Sequence, residues 1–187
     1  MPERAHSHPI DPELVPGARN AIEVCLRLKP EERITVITDS ATREIAAALQ
    51  SEIERIGSEY SLFVLEHHAR RPLKHMPEII LHDLARSQVS IFAALTQPGE
   101  LSARTEMTTV VNQHRIRHGH MVNINRQIML EGMRADFLQV DELSQRLVER
   151  ARKAERITCW PSNQISKSRP TQSMCVLEDQ FAPVCSA

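Results

Sequence analysis

The sequence has few of the residues that common binding signatures require. Aromatic residues make up 3% of its 187 positions, too few for the stacking platforms that hold single-stranded nucleic acid. Neither sign of charge is in excess: 23 Lys and Arg stand against 24 Asp and Glu, a formal net charge of -1. No global basic field therefore draws in nucleic acid or an anionic membrane. No apolar run approaches the roughly 20 residues that span a bilayer. The stretch Met1 to Pro16 is polar, carries His6 and His8, and lacks the apolar core of a secretory signal. Glycine is scarce as well. Gly17, Gly57, Gly99, Gly119 and Gly132 lie far apart, which excludes a GxGxxG or P-loop phosphate cradle. A GxSxG nucleophile elbow is absent too. Cys25, Cys159, Cys175 and Cys185 form no CxxC pair. With no export signal, reduced thiols in a cytoplasm are expected.

What is present reads as one ordered domain. Hydrophobic residues at 41% and charged residues at 25% are ordinary for a globular chain. Residues 1–13 read as a flexible leader. From Val15 to Leu28, the residues Ala18, Ala21, Ile22, Cys25 and Leu28 share one helical face. Lys29-Pro30 ends that helix. Ile34 to Thr38 is a β-branched run and a good buried strand. A helix follows over Ala41 to Ile56, stopped by Gly57. The alternation continues: strand Tyr60 to Leu65, a polar basic connection His67 to Pro77, then a short helix with Ile79, Ile80, Leu84 and Ala85 as its apolar stripe. Strand Val89 to Leu95, helix Glu100 to His114, strand His118 to Ile124 and helix Arg126 to Met133 come next. A longer helix starts at Asp136 with Leu138, Val140, Leu143, Leu147, Val148 and Ala151, and Arg156 to Cys159 opens a last strand. Strands alternating with helices predict crossover connections. The expected fold is α/β and three-layer: a mainly parallel sheet of about five strands with helices on both faces. The domain is expected over 14–159, with an irregular tail over 160–187, where Pro161, Pro170 and Pro183 interrupt any period.

Several residues are candidates for chemistry. His118 and His120 flank Gly119 and on a strand point to the same face. His67, His68 and His75 share one loop with Glu66, Arg70, Arg71 and Lys74. A metal site needs three or four converging ligands. The favoured reading makes His67, His68 and His75 surface residues, and puts His118 and His120 at a strand edge facing a ligand or a neighbouring subunit. Asp39 closes the first strand, where open α/β sheets bind ligands, but an Asp before a helix is also an ordinary cap, and capping is favoured. Arg104 and Glu106 follow the turn after the third strand; a solvated helix start is favoured over contact with substrate or partner. Cys25, on an apolar stripe, is expected to be a buried structural thiol.

Two stretches carry a family resemblance. Cys25-Leu-Arg-Leu-Lys-Pro-Glu-Glu-Arg-Ile-Thr-Val-Ile-Thr-Asp39 joins a helix end to an apolar strand ending in Asp. Met129-Leu-Glu-Gly-Met-Arg-Ala-Asp-Phe137 lies near the end of the ordered part. Both, in this order, resemble the N-terminal domain of the thermophilic-type metallo-aminopeptidases (leucyl aminopeptidase, aminopeptidase T), over about residues 14–159. The resemblance implies an α/β domain joined to a C-terminal catalytic part. There, two divalent metals, zinc or cobalt, are held by carboxylates, histidines and a tyrosine, and activate water against the first peptide bond. It also implies a homodimer. A related branch includes a ring-cleaving dihydroxypyridine dioxygenase that uses iron, again held by C-terminal residues. No ligand of either kind carries over: the catalytic, cofactor and metal residues expected in this chain are none. The single tyrosine, Tyr60, falls in a core strand, and the family's Ser-x-x-His-Thr segment has no histidine between Gln97 and Arg104. The expectation is an aminopeptidase-like domain that is inactive alone, truncated or frameshifted after about Cys159. The alternative is a non-catalytic α/β binding or dimerisation module, with no nucleic-acid or membrane partner.

Overall fold

The computed structural model describes residues 10–154. The tail over 160–187 and the strand expected at Arg156 to Cys159 lie outside the described residues. The rest forms two compact units, one reaching Ala135 and the other starting at Asp136.

The first unit is a four-stranded parallel sheet in the order β2-β1-β3-β4. Its strands are β1 (Arg33–Thr38), β2 (Glu59–Val64), β3 (Val89–Ala93) and β4 (Arg117–His120). Ile34 pairs with Tyr60 on one side and with Val89 on the other, which fixes the central register. Buried on both faces, β1 and β3 are nearly continuous apolar runs, as parallel strands are. One face packs on α1 (Val15–Arg19), a π-helical turn (Asn20–Cys25), α2 (Arg43–Ile56) and α5 (Arg126–Leu130). Its core includes Ile22, Ile34, Val36, Leu49, Ile53, Ile91 and Met129. The other face packs on α3 (Glu78–Leu84) and α4 (Leu101–Gln113), through Ile37, Phe63, Ile80, Leu84, Phe92 and Met107. The architecture is thus three-layered and α/β, with helices on both faces. A short 3-10 turn, Gly132–Arg134, follows α5.

Three local departures have physical causes. Cys25 is exposed, not buried. The helix turns π-helical at Asn20, and the Leu26 amide bonds the Ala21 carbonyl five residues back at 3.0 Å. That extra residue rotates the register, so Leu26 and not Cys25 enters the core. Ile79 is also exposed, because the short α3 buries only Ile80 and Leu84. Strand β4 is shorter than expected: Asn123 takes a left-handed conformation, φ 57°, and turns the chain away at a residue type that tolerates it.

The second unit is described by α6 (Phe137–Ala151). Asp136 caps it, accepting from the Leu138 and Gln139 amides at 3.1 Å each.

Both ends of the sheet are closed by polar groups. At the amino end, Asp83 of α3 accepts from Arg33 Nη2 (2.7 Å), Thr35 Oγ1 (2.9 Å) and Ser61 Oγ (3.0 Å). The carboxyl end holds the site.

Candidate functional site

In an open α/β sheet, ligands bind beyond the carboxyl ends of the strands where the connections diverge. Here that point lies between β1 and β3, since β2 and β4 follow on opposite sides of this central pair. The crevice is laced shut from within. Thr42 Oγ1 donates to the Ala93 carbonyl at 2.7 Å, and the Leu95 amide donates to Asp39 Oδ2 at 2.8 Å.

Over it lies the guanidinium of Arg71. It donates to Asp39 Oδ2 (Nη1, 2.7 Å) and to both oxygens of Glu100 (Nε, 2.8 Å; Nη2, 2.5 Å). It also bonds the Leu95 carbonyl. Glu66 lies 3.4 Å away at the rim. The side chains of Arg71, Asp39 and Glu100 are 4%, 2% and 3% exposed. Burial opposes the ionisation of Glu100. Hydrogen bonds from Arg71 and from the Leu73 and Gln97 amides, with the charge of Arg71, outweigh it and hold the carboxyl below the usual range. The bond to Glu100 first, then the bond to Asp39 and the two carboxylate charges, outweigh burial and raise the pKa of Arg71. The guanidinium is therefore permanently charged and used on every edge.

Asp39 is correspondingly committed. Its Oδ1 accepts from the Ala41 amide (3.1 Å) and the Thr42 amide (2.9 Å), with Thr42 Oγ1 2.8 Å away. It braces the turn before α2 and anchors Arg71 besides; the N-cap position of α2 itself is Thr42, and no side chain caps it, so the expected cap at Asp39 is replaced by a turn brace. No lone pair is left for a metal or substrate.

The histidines form a separate group on the outer strand. His118 and His120 share the face of β4 that looks toward α4, as their spacing predicts. His118 Nδ1 lies 2.7 Å from Ser90 Oγ, and His118 Nε2 lies 3.1 Å from His120 Nδ1. The ring of His120 stacks on Phe92 with centroids 5.6 Å apart. Burial first, and the charge of His120 second, push His118 down to about 4. Burial and then Arg104 lower His120. Both rings are neutral at pH 7 and joined in a Ser–His–His chain. Arg104 lies in the first turn of α4, as expected, but is half-buried, and its Nε has no hydrogen-bond partner among the described residues. His75 and the Met76 amide bond Glu106 at 2.6 and 2.8 Å, pinning the loop after β2 to α4. His67 bonds Arg43 at 3.0 Å, and His68 packs edge-on against Phe63. The structure thus brings His118 and His120 together and leaves the loop histidines apart from them. Among the described residues, no three His, Cys, Asp or Glu side chains converge on one ion position.

Sequence reasoning missed Arg71, Glu100 and Ser90. Arg71 and Glu100 lie 29 residues apart, beyond the reach of any local pattern. Ser90 had a legible signal: a small hydroxyl inside the apolar strand Val89–Ala93 requires a polar partner.

The two stretches that carry the family resemblance meet in one core. Leu26, Leu28, Ile34 and Val36 of the first belong to the same cluster as Met129 of the second. Asn20 Nδ2 ties the second down, donating to the Met133 and Ala135 carbonyls at 2.9 and 2.7 Å.

No family model matches the chain, and no curated protein matches it. Among solved structures, the chain is distantly similar to AmpT from Thermus thermophilus, at 14% identity and a TM-score of 0.36. The match covers 55% of this chain and 32% of that one, so the chain spans about a third of that structure's length. Among the described residues, no helix is long and apolar enough to cross a membrane.

Proposed function

We propose that the chain is an aminopeptidase-like N-terminal α/β domain, a scaffold that does not itself carry out catalysis. The observation that supports it best is the occupied crevice: Arg71, Asp39 and Glu100 satisfy one another where an α/β enzyme would hold its ligand. A catalytic carboxylate needs a free lone pair and a pKa matched to its task; Asp39 lacks the first and Glu100 the second. The sequence resemblance of Cys25–Asp39 and Met129–Phe137 supplies the ancestry, and with it peptide hydrolysis as the activity of the wider family. A cytoplasmic setting with reduced thiols belongs to the same reading. The test is hydrolysis of leucine p-nitroanilide by the purified full chain, with zinc or cobalt added. No metal-dependent turnover is expected. Turnover that scales with chain concentration and is abolished by a chelator would overturn the proposal.

A further inference from the structure

Arg104 is a cation placed where the fold makes a cation costly. It lies in the first turn of α4, which has no acidic residue in that turn and no side-chain cap. A helix amino end carries partial positive charge, so a guanidinium there is repelled. Arg104 is also half-buried, and its Nε is unsatisfied. Charged groups withdrawn from water are normally paired. Yet no acid among the described residues pairs with this one. The two nearest in sequence are spent elsewhere: Glu100 on Arg71, and Glu106 on His75 and the Met76 amide.

The neighbours of this charge are polar but neutral. Ala103 and Met107 of α4 share a core cluster with Phe92. The ring of His120 stacks on Phe92, 17° from parallel, and the positive charge of Arg104 acts on it. His118 steadies the same ring, with Nε2 3.1 Å from His120 Nδ1 and Nδ1 2.7 Å from Ser90 Oγ. With Ser90 as donor, the chain runs from Ser90 through His118 to His120, and the last N–H is carried by His120 Nε2. That nitrogen has no partner among the described residues, and His120 is exposed. A guanidinium and a neutral N–H thus stand open at the carboxyl end of β4, with one positive charge between them. The paired N–H groups of a guanidinium match the two oxygens of a carboxylate. One positive charge balances a monoanion, whereas a phosphate near two charges would be left unbalanced, and a metal cation would be repelled.

We propose that Arg104 and His120 form a binding site for a small organic carboxylate, with the Nη groups of Arg104 on its oxygens and His120 Nε2 as a further donor. Ser90, His118 and Phe92 are positioning residues that orient the His120 ring. The proposal rests on these residues alone and stands whether or not the aminopeptidase-like reading does.

Titration of the full chain with acetate tests it, followed by NMR of the imidazole nitrogens at an ionic strength held constant with chloride. Saturable shifts are expected, larger at His120 than at His118, with a Kd on the order of 1–10 mM for so small a ligand. Arg104→Met should weaken binding by about tenfold or more. Arg104→Lys, which keeps the charge and loses the fork, should fall between the two. Because the guanidinium has no partner in the free protein, Arg104→Met should leave the ligand-free Tm unchanged or raised. Acetate should raise the Tm of the wild type only. Four results would each overturn the proposal: shifts that chloride alone reproduces, acetate binding indifferent to Arg104→Met, inorganic phosphate binding more tightly than acetate, or a ligand-free Arg104→Met chain that melts below the wild type.

Discussion

Replacing Arg71 by methionine keeps the bulk of the side chain and removes the charge that closes the crevice. Two carboxylates, each 2–3% exposed, would then be left without their cation. Breaking a buried ion pair from one side destabilises by about 3–5 kcal/mol. The surviving donors put this case near the lower end. Asp39 keeps the Ala41, Thr42 and Leu95 amides, and Glu100 keeps those of Leu73 and Gln97. A loss of about 3 kcal/mol corresponds to a fall in Tm of roughly 6–12 °C for a chain of this size. The loss should depend on pH with a definite sign. In the wild-type protein Glu100 lies below its usual range, so its stabilisation is present above the unfolded pKa and is lost as pH falls through the folded one. Without Arg71, burial dominates and the Glu100 carboxyl rises, so the folded variant gains a proton before the unfolded chain does. The deficit between the two proteins should therefore shrink as pH falls from neutrality toward about 5. Glu100→Gln added to Arg71→Met should recover part of the loss at neutral pH. Urea titrations at several pH values measure all of this. A deficit below about 1 kcal/mol, or one that does not vary with pH, would refute the claim that an ionised cluster seals the crevice.

Two further predictions concern other parts of the fold. His118 is held down to about 4 from 6.5, so between those values the unfolded chain binds a proton that the folded chain refuses. Stability should fall as pH drops through that window, by up to about 3 kcal/mol from this residue, and His118→Gln should flatten the slope. An NMR titration placing the His118 pKa near its usual value would refute this. Gly17 admits no side chain: a Cβ there would lie 2.5 Å from the Met129 carbonyl oxygen. Gly17→Ala should destabilise by about 1–3 kcal/mol through displacement of α5. Gly57→Ala meets no atoms within 4 Å but forces a φ of 87°, and should cost about 1–2 kcal/mol through backbone strain alone. Equal chemical-shift changes at Met129 in both variants would undo the distinction.

The alternation of strands and helices was legible because each relevant signal is local. Ile34–Thr38 is β-branched throughout, Gly57 stops α2 with the left-handed φ that glycine supplies, and His118 and His120 share a face by the two-residue period of a strand. What was hidden depended on register or on distance. One π-helical hydrogen bond moved Cys25 out of the core. A guanidinium on an irregular loop crossed to the ends of two strands, and the text of that loop reads only as basic. Composition cannot distinguish a solvated arginine from one that is 4% exposed; the opposing carboxylates can, but they belong to segments far away in sequence.

The sealing of both sheet ends has a common logic. A parallel pair has no hairpin to fix its register, so alignment must come from the packing and from polar groups at the ends. Asp83 reaches from α3 to Arg33 and Thr35 of β1 and to Ser61 of β2, which aligns the amino ends of those two strands. Asp39 and Arg71 do the same for β1 and β3 at the other end, through the Leu95 amide and carbonyl. A slip of one residue would place Thr38 or Ala94 where Asp39 and Leu95 now bond, leaving a buried charge without partners. Such a penalty exceeds what a hydrophobic mismatch alone would impose. The cluster that occupies the ligand crevice is in this sense the same device as the one at the amino end, and it makes the carboxyl edge a fixed frame for the loops and helices that follow it.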